Sequence, residues 1–237
     1  MTGADSLNAR PPANFREKLP LTPGLGLIFD LDGVIIDSMP FHQRAWQRYL
    51  EVTGIGSVDN LDFMHGQRNE EIVRRLLGPR ADLQTVMAHG AAKEQMYRDM
   101  LRGRLGEHLV AGIAEWLEHV SGAPIALATN AERANVDFVL DGGGLRPYFG
   151  AIVDGSQVDR PKPAPDVYLR AAELLQIPPH NCIVFEDSPV GVAAAVAAGM
   201  RVVGVLTHAT ALDGIRCSIA NFLDARLDPW LSVQRPE

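Results

Sequence analysis

The sequence predicts an α/β protein: a parallel sheet with helices on both faces, and an all-helical domain inserted into the same chain. Three observations support this prediction. Short apolar runs typical of buried strands recur along the 237 residues, and amphipathic helical patterns separate most of them. One long interval, by contrast, holds helical patterns only. Regular alternation of strand and helix is typical of a parallel sheet that is buried on both faces.

The five predicted strands are continuously apolar or β-branched, and turn residues bound them. They cover Leu25–Phe29, Ile125–Ala128, Ala151–Val153, Ile183–Phe185 and Val202–Leu206. Helical patterns accompany the later strands at Val110–Val120, Arg133–Leu140, Pro165–Gln176 and Val190–Ala198. Right-handed connections between parallel strands bring all carboxyl ends to one edge of the sheet, where open α/β sheets bind their ligands.

The interval between the first strand and Val110 breaks this alternation. It holds apolar residues at helical spacing in Phe41–Val52, Asn69–Leu77 and Leu83–Leu101. Because connections in compact domains usually span roughly 2–6 residues, this interval predicts a separate helical cap over the site. The predicted organisation is a flexible lead-in at 1–23 that contributes little to the core, an α/β core formed by 24–37 and 108–237, and a cap at 38–107.

Composition excludes some functions. The formal net charge of −7 argues against a nucleic-acid partner, which requires a basic face. No apolar run approaches the roughly 20 residues of a membrane span. The two cysteines, Cys182 and Cys217, do not suggest a disulfide framework, and Cys182 begins a predicted strand as a small core residue. We therefore expect a cytoplasmic protein that is a monomer or a weak homodimer, with no membrane partner.

Two carboxylates, Asp30 and Asp32, directly follow the first predicted strand. Burying two carboxylates side by side is costly unless a cation or a proton relieves their repulsion. This pair therefore predicts either a divalent metal site or acid–base chemistry.

Other polar residues are predicted to meet the same edge of the sheet. Thr129 and Asn130 end the second strand, Lys162 lies in a proline-braced loop after the third, and Glu186 and Asp187 end the fourth. Carboxylates, a hydroxyl, an amide and an ammonium group together suit Mg²⁺ and a phosphate, because Mg²⁺ binds through one or two carboxylates plus substrate oxygens.

These segments resemble the haloacid dehalogenase superfamily, in the branch whose helical cap is inserted after the first motif. That branch contains small-molecule phosphatases and β-phosphoglucomutase. The matching segments are Asp30-Leu31-Asp32-Gly33-Val34, Thr129-Asn130, Lys162-Pro163-Ala164-Pro165-Asp166 and Glu186-Asp187-Ser188-Pro189-Val190-Gly191. The resemblance extends from about Leu25 to Leu206 and implies a Rossmann-like core under the cap.

The resemblance also implies roles for the core residues. Asp30 is expected to attack phosphorus and form an aspartyl-phosphate. Asp32 is expected to act as general acid and then as base, with a carboxyl group that nearby carboxylates keep partly protonated. Asp30, the backbone carbonyl of Asp32 and Asp187 are expected to hold Mg²⁺. Glu186 either ligates the metal, directly or through water, or orients the ligands.

The remaining core residues are expected to contact the phosphoryl group. Lys162 would neutralise its growing charge, and Thr129 would donate a hydrogen bond to one oxygen. Asn130 either adds an amide donor or caps the next helix.

Cap residues are predicted by looser matches. In β-phosphoglucomutase-like chains a histidine occurs at the spacing of His42, a substrate loop resembles His65-Gly66-Gln67-Arg68, and a cap lysine precedes a tyrosine as Lys93 precedes Tyr97. His42, Gly66, Arg68 and Lys93 are therefore predicted to bind substrate, together with Asn130. For Arg68 and Lys93 the alternative is a solvated helix face.

Three further residues of this region have structural predictions. Trp46 is predicted to pack inside the cap. Asp37 and Ser38 are predicted to cap its first helix rather than to take part in the chemistry.

The favoured function is a Mg²⁺-dependent phosphatase of a small phosphorylated metabolite, a sugar or polyol phosphate. The alternative is a hexose-phosphate mutase that passes the phosphoryl group to a second hydroxyl. A haloacid dehalogenase is disfavoured, because that reaction needs neither a metal nor a leaving-group acid. A non-catalytic binding module is disfavoured because none of the core carboxylates, nor Lys162, is missing.

Overall fold

A computed structural model describes Phe15 and residues 17–55 and 68–236. Its sheet has six parallel strands in the order β3-β2-β1-β4-β5-β6. The strands are β1 (Gly26–Phe29), β2 (Ile125–Ala128), β3 (Ala151–Val153), β4 (Cys182–Glu186), β5 (Arg201–Val205) and β6 (Cys217–Ile219). The helices are α1 (Met39–Thr53), α2 (Asn69–Leu77), α3 (Leu83–Leu101), α4 (Ile113–His119), α5 (Arg133–Gly142), α6 (Asp166–Leu175), α7 (Pro189–Ala197) and α8 (Leu227–Ser232).

The predicted α/β fold class is confirmed, and the five predicted strands form the sheet with small shifts at their ends. The sixth strand, β6, was not predicted. It has only three residues, its serine interrupts the apolar pattern, and of the three only Ile219 is buried. A short strand at the edge of a sheet carries little of the apolar pattern from which a strand is predicted.

Alternate residues of the central strands supply two apolar layers. On one face Phe29 stacks on Phe185, with ring centroids 4.6 Å apart and planes 4° from parallel, and Trp116 packs against both rings. On the other face Ile28 and Val184 pack under α6 and α7. Because β1 is flanked by β2 and β4, the residue that follows Phe29 emerges in the middle of the carboxyl edge.

Helices α1, α2 and α3 lie between β1 and β2 in the chain and share an apolar cluster of their own, formed by Trp46, Tyr49, Ile72, Val73 and Val86. The two segments that lead into and out of this helical region pair with each other. Asp37 N–H donates to the His108 carbonyl over 2.8 Å, and Val110 N–H donates to the Ile35 carbonyl over 3.0 Å. The connections into and out of the helical region therefore lie side by side.

The predicted lead-in falls partly outside the described residues. In its described part, Phe15, Leu19 and Leu21 are half-buried and pack against the core. Leu19 N–H also donates to the His119 carbonyl over 2.8 Å. The expectation that residues up to 23 contribute little to the core is therefore wrong for these three residues. The sequence did not predict their burial because isolated apolar residues show no helical or strand periodicity.

None of the helices in the described part of the chain combines the length and apolar character that crossing a bilayer requires.

Candidate active site

Asp30 stands at the centre of the carboxyl edge, directly after β1, and its side chain is almost fully buried. Its backbone N–H donates to the Phe185 carbonyl over 3.1 Å, which continues the pairing of β1 with β4. The ammonium group of Lys162 lies 3.0 Å from Asp30 Oδ1. Thr129 and Asp187, from the ends of the flanking strands, line the same cavity. The structure thus brings together the core residues that the motifs predict.

Burial raises the pKa of Asp30 to about 7. The positive charge of Lys162 opposes this shift, whereas the negative charges of Glu186, Asp32 and Asp187 add to it. An aspartate so surrounded has too little positive charge nearby to remain ionised at low cost. A cation bound next to Asp30 would therefore stabilise the ionised form of its carboxyl group.

Glu186 is fully buried, and hydrogen-bond donors occupy both of its oxygens. Oε1 accepts from Lys162 Nζ and from the Tyr168 hydroxyl, each over 2.7 Å. Oε2 accepts from the backbone N–H groups of Asp187 and Ser188, each over 3.0 Å. Burial acts to raise the pKa of Glu186, but Lys162 and these donors outweigh it and lower the pKa. These contacts favour the orienting role over direct ligation, since both oxygens already have partners.

Among the described residues, Asp30, Glu186 and Asp187 form a group of buried carboxylates that could hold a metal ion, with one oxygen from each lying within 4.8 Å of the others. Asp30 Oδ1 is buried, and the ammonium group beside it, that of Lys162, lies 3.0 Å away and is shared with Glu186, so the three carboxylates carry an excess of negative charge. Clustered carboxylate oxygens with unsatisfied charge suit a hard divalent cation. The donor set therefore fits the metal that the sequence predicts at this edge.

Asp32 is held from the cap side. The Ser38 hydroxyl donates to Asp32 Oδ1 over 2.6 Å, and His42 Nε2 lies 3.2 Å from the same oxygen. Burial acts to raise the pKa of Asp32, but the hydrogen bonds from His42 and Ser38 stabilise the charged carboxylate and lower the pKa. The expectation that neighbouring carboxylates keep Asp32 partly protonated is therefore wrong for this state, because donors from the cap stabilise its charged form.

Ser38 also corrects a prediction about the helix. It occupies the N-cap position of α1, with a proline in the first turn, but its side chain makes no capping hydrogen bond. The hydroxyl is used for Asp32 instead.

His42 is oriented by its second ring nitrogen. Lys93 Nζ lies 2.7 Å from His42 Nδ1, and the imidazole stacks on Tyr97 with ring centroids 4.0 Å apart. Because an ammonium group can only donate, Nδ1 accepts and Nε2 carries the hydrogen that is donated to Asp32. The contact with Lys93 thereby fixes the tautomer that holds Asp32.

Lys93 is buried in the cap at 1% exposure, which excludes the alternative of a solvated helix face. Its ammonium group also lies 2.8 Å from Glu94 Oε1 and 5.2 Å from the centre of the Trp46 ring. Trp46 packs in the apolar cluster of the cap, as predicted.

Arg68 precedes α2 and is half-buried. Its Nη2 donates to the backbone carbonyls of Gly155 and Val158 in the loop that follows β3, so the side chain joins the cap to the core. Gly66, the neighbouring predicted substrate residue, lies outside the described residues, as does His65.

Asn130 has a role that neither prediction anticipated. Its side-chain oxygen accepts the backbone N–H of Lys162 over 3.1 Å and so holds the loop that carries the lysine. Glu132, not Asn130, occupies the N-cap position of α5. Thr129 lies in the cavity, with Oγ1 accepting from Ala131 N–H over 3.1 Å and its hydroxyl hydrogen left to donate. The prediction that Thr129 contacts phosphate is compatible with this position.

Sequence reasoning missed several residues that line or support the cavity: Ser38, Glu94, Glu132, Asn135, Tyr168 and Ser188. For Glu94 a signal existed. The buried residues of α3 fall at Val86, Gly90, Lys93, Glu94, Tyr97 and Leu101, which is helical spacing, so both charged residues lie on the buried stripe.

Comparison with known proteins agrees with this geometry. A sequence model of the haloacid dehalogenase-like hydrolase family matches residues 26–199. Over 185 residues the chain is 35% identical to the fructose-1-phosphate phosphatase YqaB of Escherichia coli, covering 76% of this chain and 95% of that protein. It is 30% identical over 192 residues to hexitol phosphatase A of Escherichia coli, covering 76% and 82% of the two chains.

A solved structure agrees as well. The β-phosphoglucomutase of Clostridium difficile superposes with a TM-score of 0.77 at 25% identity, covering 86% of this chain and 94% of that chain. The predicted enzyme of the phosphoric monoester hydrolase type is confirmed by these relationships. On its motifs, its sheet and its relatives, the chain belongs to the haloacid dehalogenase-like hydrolase family.

Proposed function

We propose that this protein is a Mg²⁺-dependent phosphatase that hydrolyses the phosphate ester of a small sugar or polyol through an aspartyl-phosphate. One observation carries the proposal. Lys162 Nζ lies 3.0 Å from Asp30 Oδ1 and 2.7 Å from Glu186 Oε1, beside Asp187, at the edge of a cavity that the cap helices also line. A nucleophile, a cation and metal-binding carboxylates therefore share one place.

Asp30 and Asp187 would hold the metal, with the Asp32 carbonyl as the third predicted ligand and Glu186 orienting the set. Bound Mg²⁺ would supply positive charge against the phosphoryl oxygens and relieve the repulsion among the carboxylates.

The first chemical step belongs to Asp30. Its carboxylate oxygen attacks phosphorus, the bond from phosphorus to the ester oxygen breaks, and the phosphoryl group becomes an acyl phosphate on Asp30. Lys162 and the Thr129 hydroxyl stabilise the charge on the transferred group. Asn130 holds the loop that carries Lys162 in place through the hydrogen bond from the Lys162 backbone N–H.

Asp32 acts as the general acid in the first step and as the general base in the second. When the substrate binds, the negative charge of its phosphoryl group raises the pKa of Asp32, and the Asp32 carboxyl group binds a proton. Asp32 then donates this proton to the leaving oxygen. The carboxylate that results then removes a proton from water, whose oxygen attacks phosphorus. The bond from phosphorus to the Asp30 oxygen breaks, which frees the Asp30 carboxylate and inorganic phosphate. Ser38 and His42 hold Asp32 Oδ1 in place for these transfers.

The test is phosphate release with Mg²⁺ from a panel of sugar and polyol phosphates, including fructose 1-phosphate and hexitol phosphates. We expect release that EDTA abolishes. Phosphate release that survives EDTA would contradict the Mg²⁺ requirement, whereas halide release from a haloacid in EDTA would favour dehalogenase-type chemistry. An absence of turnover on the whole panel, together with no thermal stabilisation by Mg²⁺ and beryllium fluoride, would contradict the enzyme proposal.

A hexose-phosphate mutase is the second candidate, favoured by the cap contact between Lys93 and His42 and by the likeness to a β-phosphoglucomutase. In that reaction a sugar hydroxyl, not water, accepts the phosphoryl group. The same assay decides between the two, since isomerisation of glucose 1-phosphate with little phosphate release would identify a mutase.

The proposal places the enzyme in the cytoplasm as a monomer or weak homodimer, with a small phosphorylated metabolite as its partner and neither nucleic acid nor membrane. Both cysteines are free, which suits a reducing compartment.

A further inference from the structure

Two consecutive residues of α3, Lys93 and Glu94, bring opposite charges into the cap side of the cavity. Both are almost fully buried, at 1% and 2% exposure, and both line the cavity that contains Asp30. Lys93 Nζ lies 2.8 Å from Glu94 Oε1. A lysine alone in this position would be a ready partner for a second phosphate on the substrate. Here its charge is already balanced.

Glu94 is firmly held in its charged form. Asn69 Nδ2 donates to Oε1 over 2.6 Å, and Asn135 Nδ2 donates to Oε2 over 2.7 Å. Burial acts to raise the pKa of Glu94, but the positive charge of Lys93 and the hydrogen bonds from Lys93 and Asn135 lower it to about 2. The carboxylate therefore presents a fixed negative charge to any ligand that reaches this side of the cavity.

Of the two neighbouring arginines of the cap, Arg98 pairs with a carboxylate, whereas Arg68 contacts backbone carbonyls. Arg98 Nη1 donates to Glu132 Oε1 over 2.6 Å and to Asn135 Oδ1 over 2.7 Å. Arg68 directs Nη2 to the carbonyls of Gly155 and Val158, although its Nε makes no hydrogen bond among the described residues.

This arrangement treats a phosphate and a hydroxyl differently. A second phosphate would lose its water next to the carboxylates of Glu94 and Glu132, and Lys93, which is already paired with Glu94, could not replace that water, which is costly for a dianion. Sugar or polyol hydroxyls, in contrast, can donate to these carboxylates and accept from the amides of Asn69 and Asn135.

We propose that Glu94 is a specificity-determining residue: by neutralising Lys93, it makes the cap side of the cavity accept the hydroxyl-bearing end of a monophosphate and reject a second phosphate. The inference rests on the proposed function, and it narrows the substrate class to monophosphates. It also bears on the mutase alternative. Transfer of the phosphoryl group to a sugar monophosphate produces a bisphosphate, which this cavity would bind poorly.

The experiment compares the binding of fructose 1-phosphate and fructose 1,6-bisphosphate by calorimetry with Mg²⁺ present. Asp30→Asn serves as the background, so that neither ligand is consumed. In that background we expect the bisphosphate to bind at least about tenfold more weakly than the monophosphate, since like charges in a desolvated site repel strongly. The measured ratio is the Kd of the bisphosphate divided by the Kd of the monophosphate. Adding Glu94→Gln should reduce this ratio about tenfold, because Lys93 is then free to pair with the second phosphate.

Two further variants keep the test sharp. Lys93→Met leaves Glu94 uncompensated and should move the ratio in the opposite direction, which tests the proposal even when Glu94→Gln fails to fold. Glu71→Gln removes an exposed carboxylate from the cap and should leave the ratio unchanged. A ratio within twofold of the background in folded Glu94→Gln, or in Lys93→Met, would overturn the proposal, and so would tighter binding of the bisphosphate in the background itself. Failure of both ligands to bind would also overturn it.

Phosphate release by the protein without the Asp30 substitution is measured in parallel. Release without the expected discrimination would overturn only the role of Glu94, whereas discrimination without release from any ester would overturn only the proposed phosphatase.

Discussion

Asp187 packs so closely against Gly33 that a Cβ atom on the glycine would lie 1.8 Å from Asp187 Oδ2. Gly33 also has φ +74°, a left-handed backbone conformation. The residue that follows the Asp30–Asp32 segment is therefore a glycine for two independent reasons: the turn needs positive φ, and the Asp187 carboxylate needs the space of the missing side chain.

Gly33→Ala separates these two reasons from each other when it is compared with a matched control. Gly199 has φ +75° and no atom within 4 Å of a built Cβ. Both alanine variants should lose about 1 kcal/mol of unfolding free energy from the backbone conformation. Only Gly33→Ala should also lose Mg²⁺ affinity and most of its activity, because Asp187 must move. Urea unfolding and Mg²⁺ titration measure the two effects, and equal activity in the two variants would contradict this account.

Asp30→Asn is expected to reduce turnover about a thousandfold or more, since an amide cannot act as the nucleophile. Asp213→Asn, on the exposed surface, is the matched control and should keep full activity. The measurement is the rate of phosphate release at saturating substrate. Substantial turnover by folded Asp30→Asn would remove Asp30 from the chemistry.

Asp32→Asn should also abolish steady-state turnover, but at a different step. With p-nitrophenyl phosphate, whose leaving group needs no proton, Asp30 should still be phosphorylated, while the water that attacks next lacks its base. The phosphoenzyme should therefore accumulate, and intact-protein mass spectrometry would detect the added phosphoryl group. Rapid steady-state release of phosphate by this variant would show that Asp32 is not the base.

The raised pKa of Asp30 predicts a specific pH dependence of the free energy of unfolding. The pKa of its carboxyl group is about 7 in the folded, metal-free protein, against an ordinary value of 3.8. The folded state thus keeps a proton that the unfolded state has already released. This contribution to stability is complete below 3.8 and is lost as the pH rises through about 7. In EDTA, wild type should therefore become less stable relative to Asp30→Asn as the pH rises across this window.

The same proton should compete with the metal. Because metal binding needs the ionised carboxylate, the Mg²⁺ affinity of wild type should increase as the pH rises to about 7 and then level off. Calorimetry in buffers of different ionisation enthalpy would also reveal the released proton. A Mg²⁺ affinity that does not change across this window would contradict a raised pKa at Asp30.

Ser38→Ala tests how Asp32 is positioned. Loss of the 2.6 Å hydrogen bond should lower kcat about tenfold with little change in KM, and it should move the limb of the pH–rate profile that reports Asp32 to higher pH, since the bond lowers that pKa. Ser156→Ala removes an equivalent 2.6 Å bond to Asp154 in the loop after β3 and serves as the control. An unshifted pH profile in Ser38→Ala would indicate a purely structural role.

The sheet and the core of the site could be predicted from sequence because both depend on local patterns. Strand residues such as Ile28 and Val184 carry their burial in a short apolar run, and parallel pairing then places Asp30, Thr129 and Glu186 at one edge whatever the rest of the chain does. The pattern was too weak only at β6, a short edge strand with a polar centre.

The hydrogen-bond partners and the protonation of the site residues depended instead on contacts between residues that are distant in the sequence. The predictions that Ser38 and Asn130 cap helices and that Asp32 is partly protonated were wrong, because Ser38 and Asp32 contact each other and Asn130 binds the backbone of the loop that carries Lys162. A hydrogen bond or a charge acts over a few ångströms in space, and no spacing in the sequence records which groups will meet at that distance.

By itself, then, the sequence determined that this chain forms a capped α/β hydrolase with Asp30, Lys162 and Asp187 at the carboxyl edge, because hydrophobic periodicity and parallel topology fix those positions. Only the tertiary structure decided that Asp32 is held ionised from the cap and that Glu94 balances the charge of Lys93. Those properties arise from burial and electrostatics, which exist only once the cap and the core lie against each other.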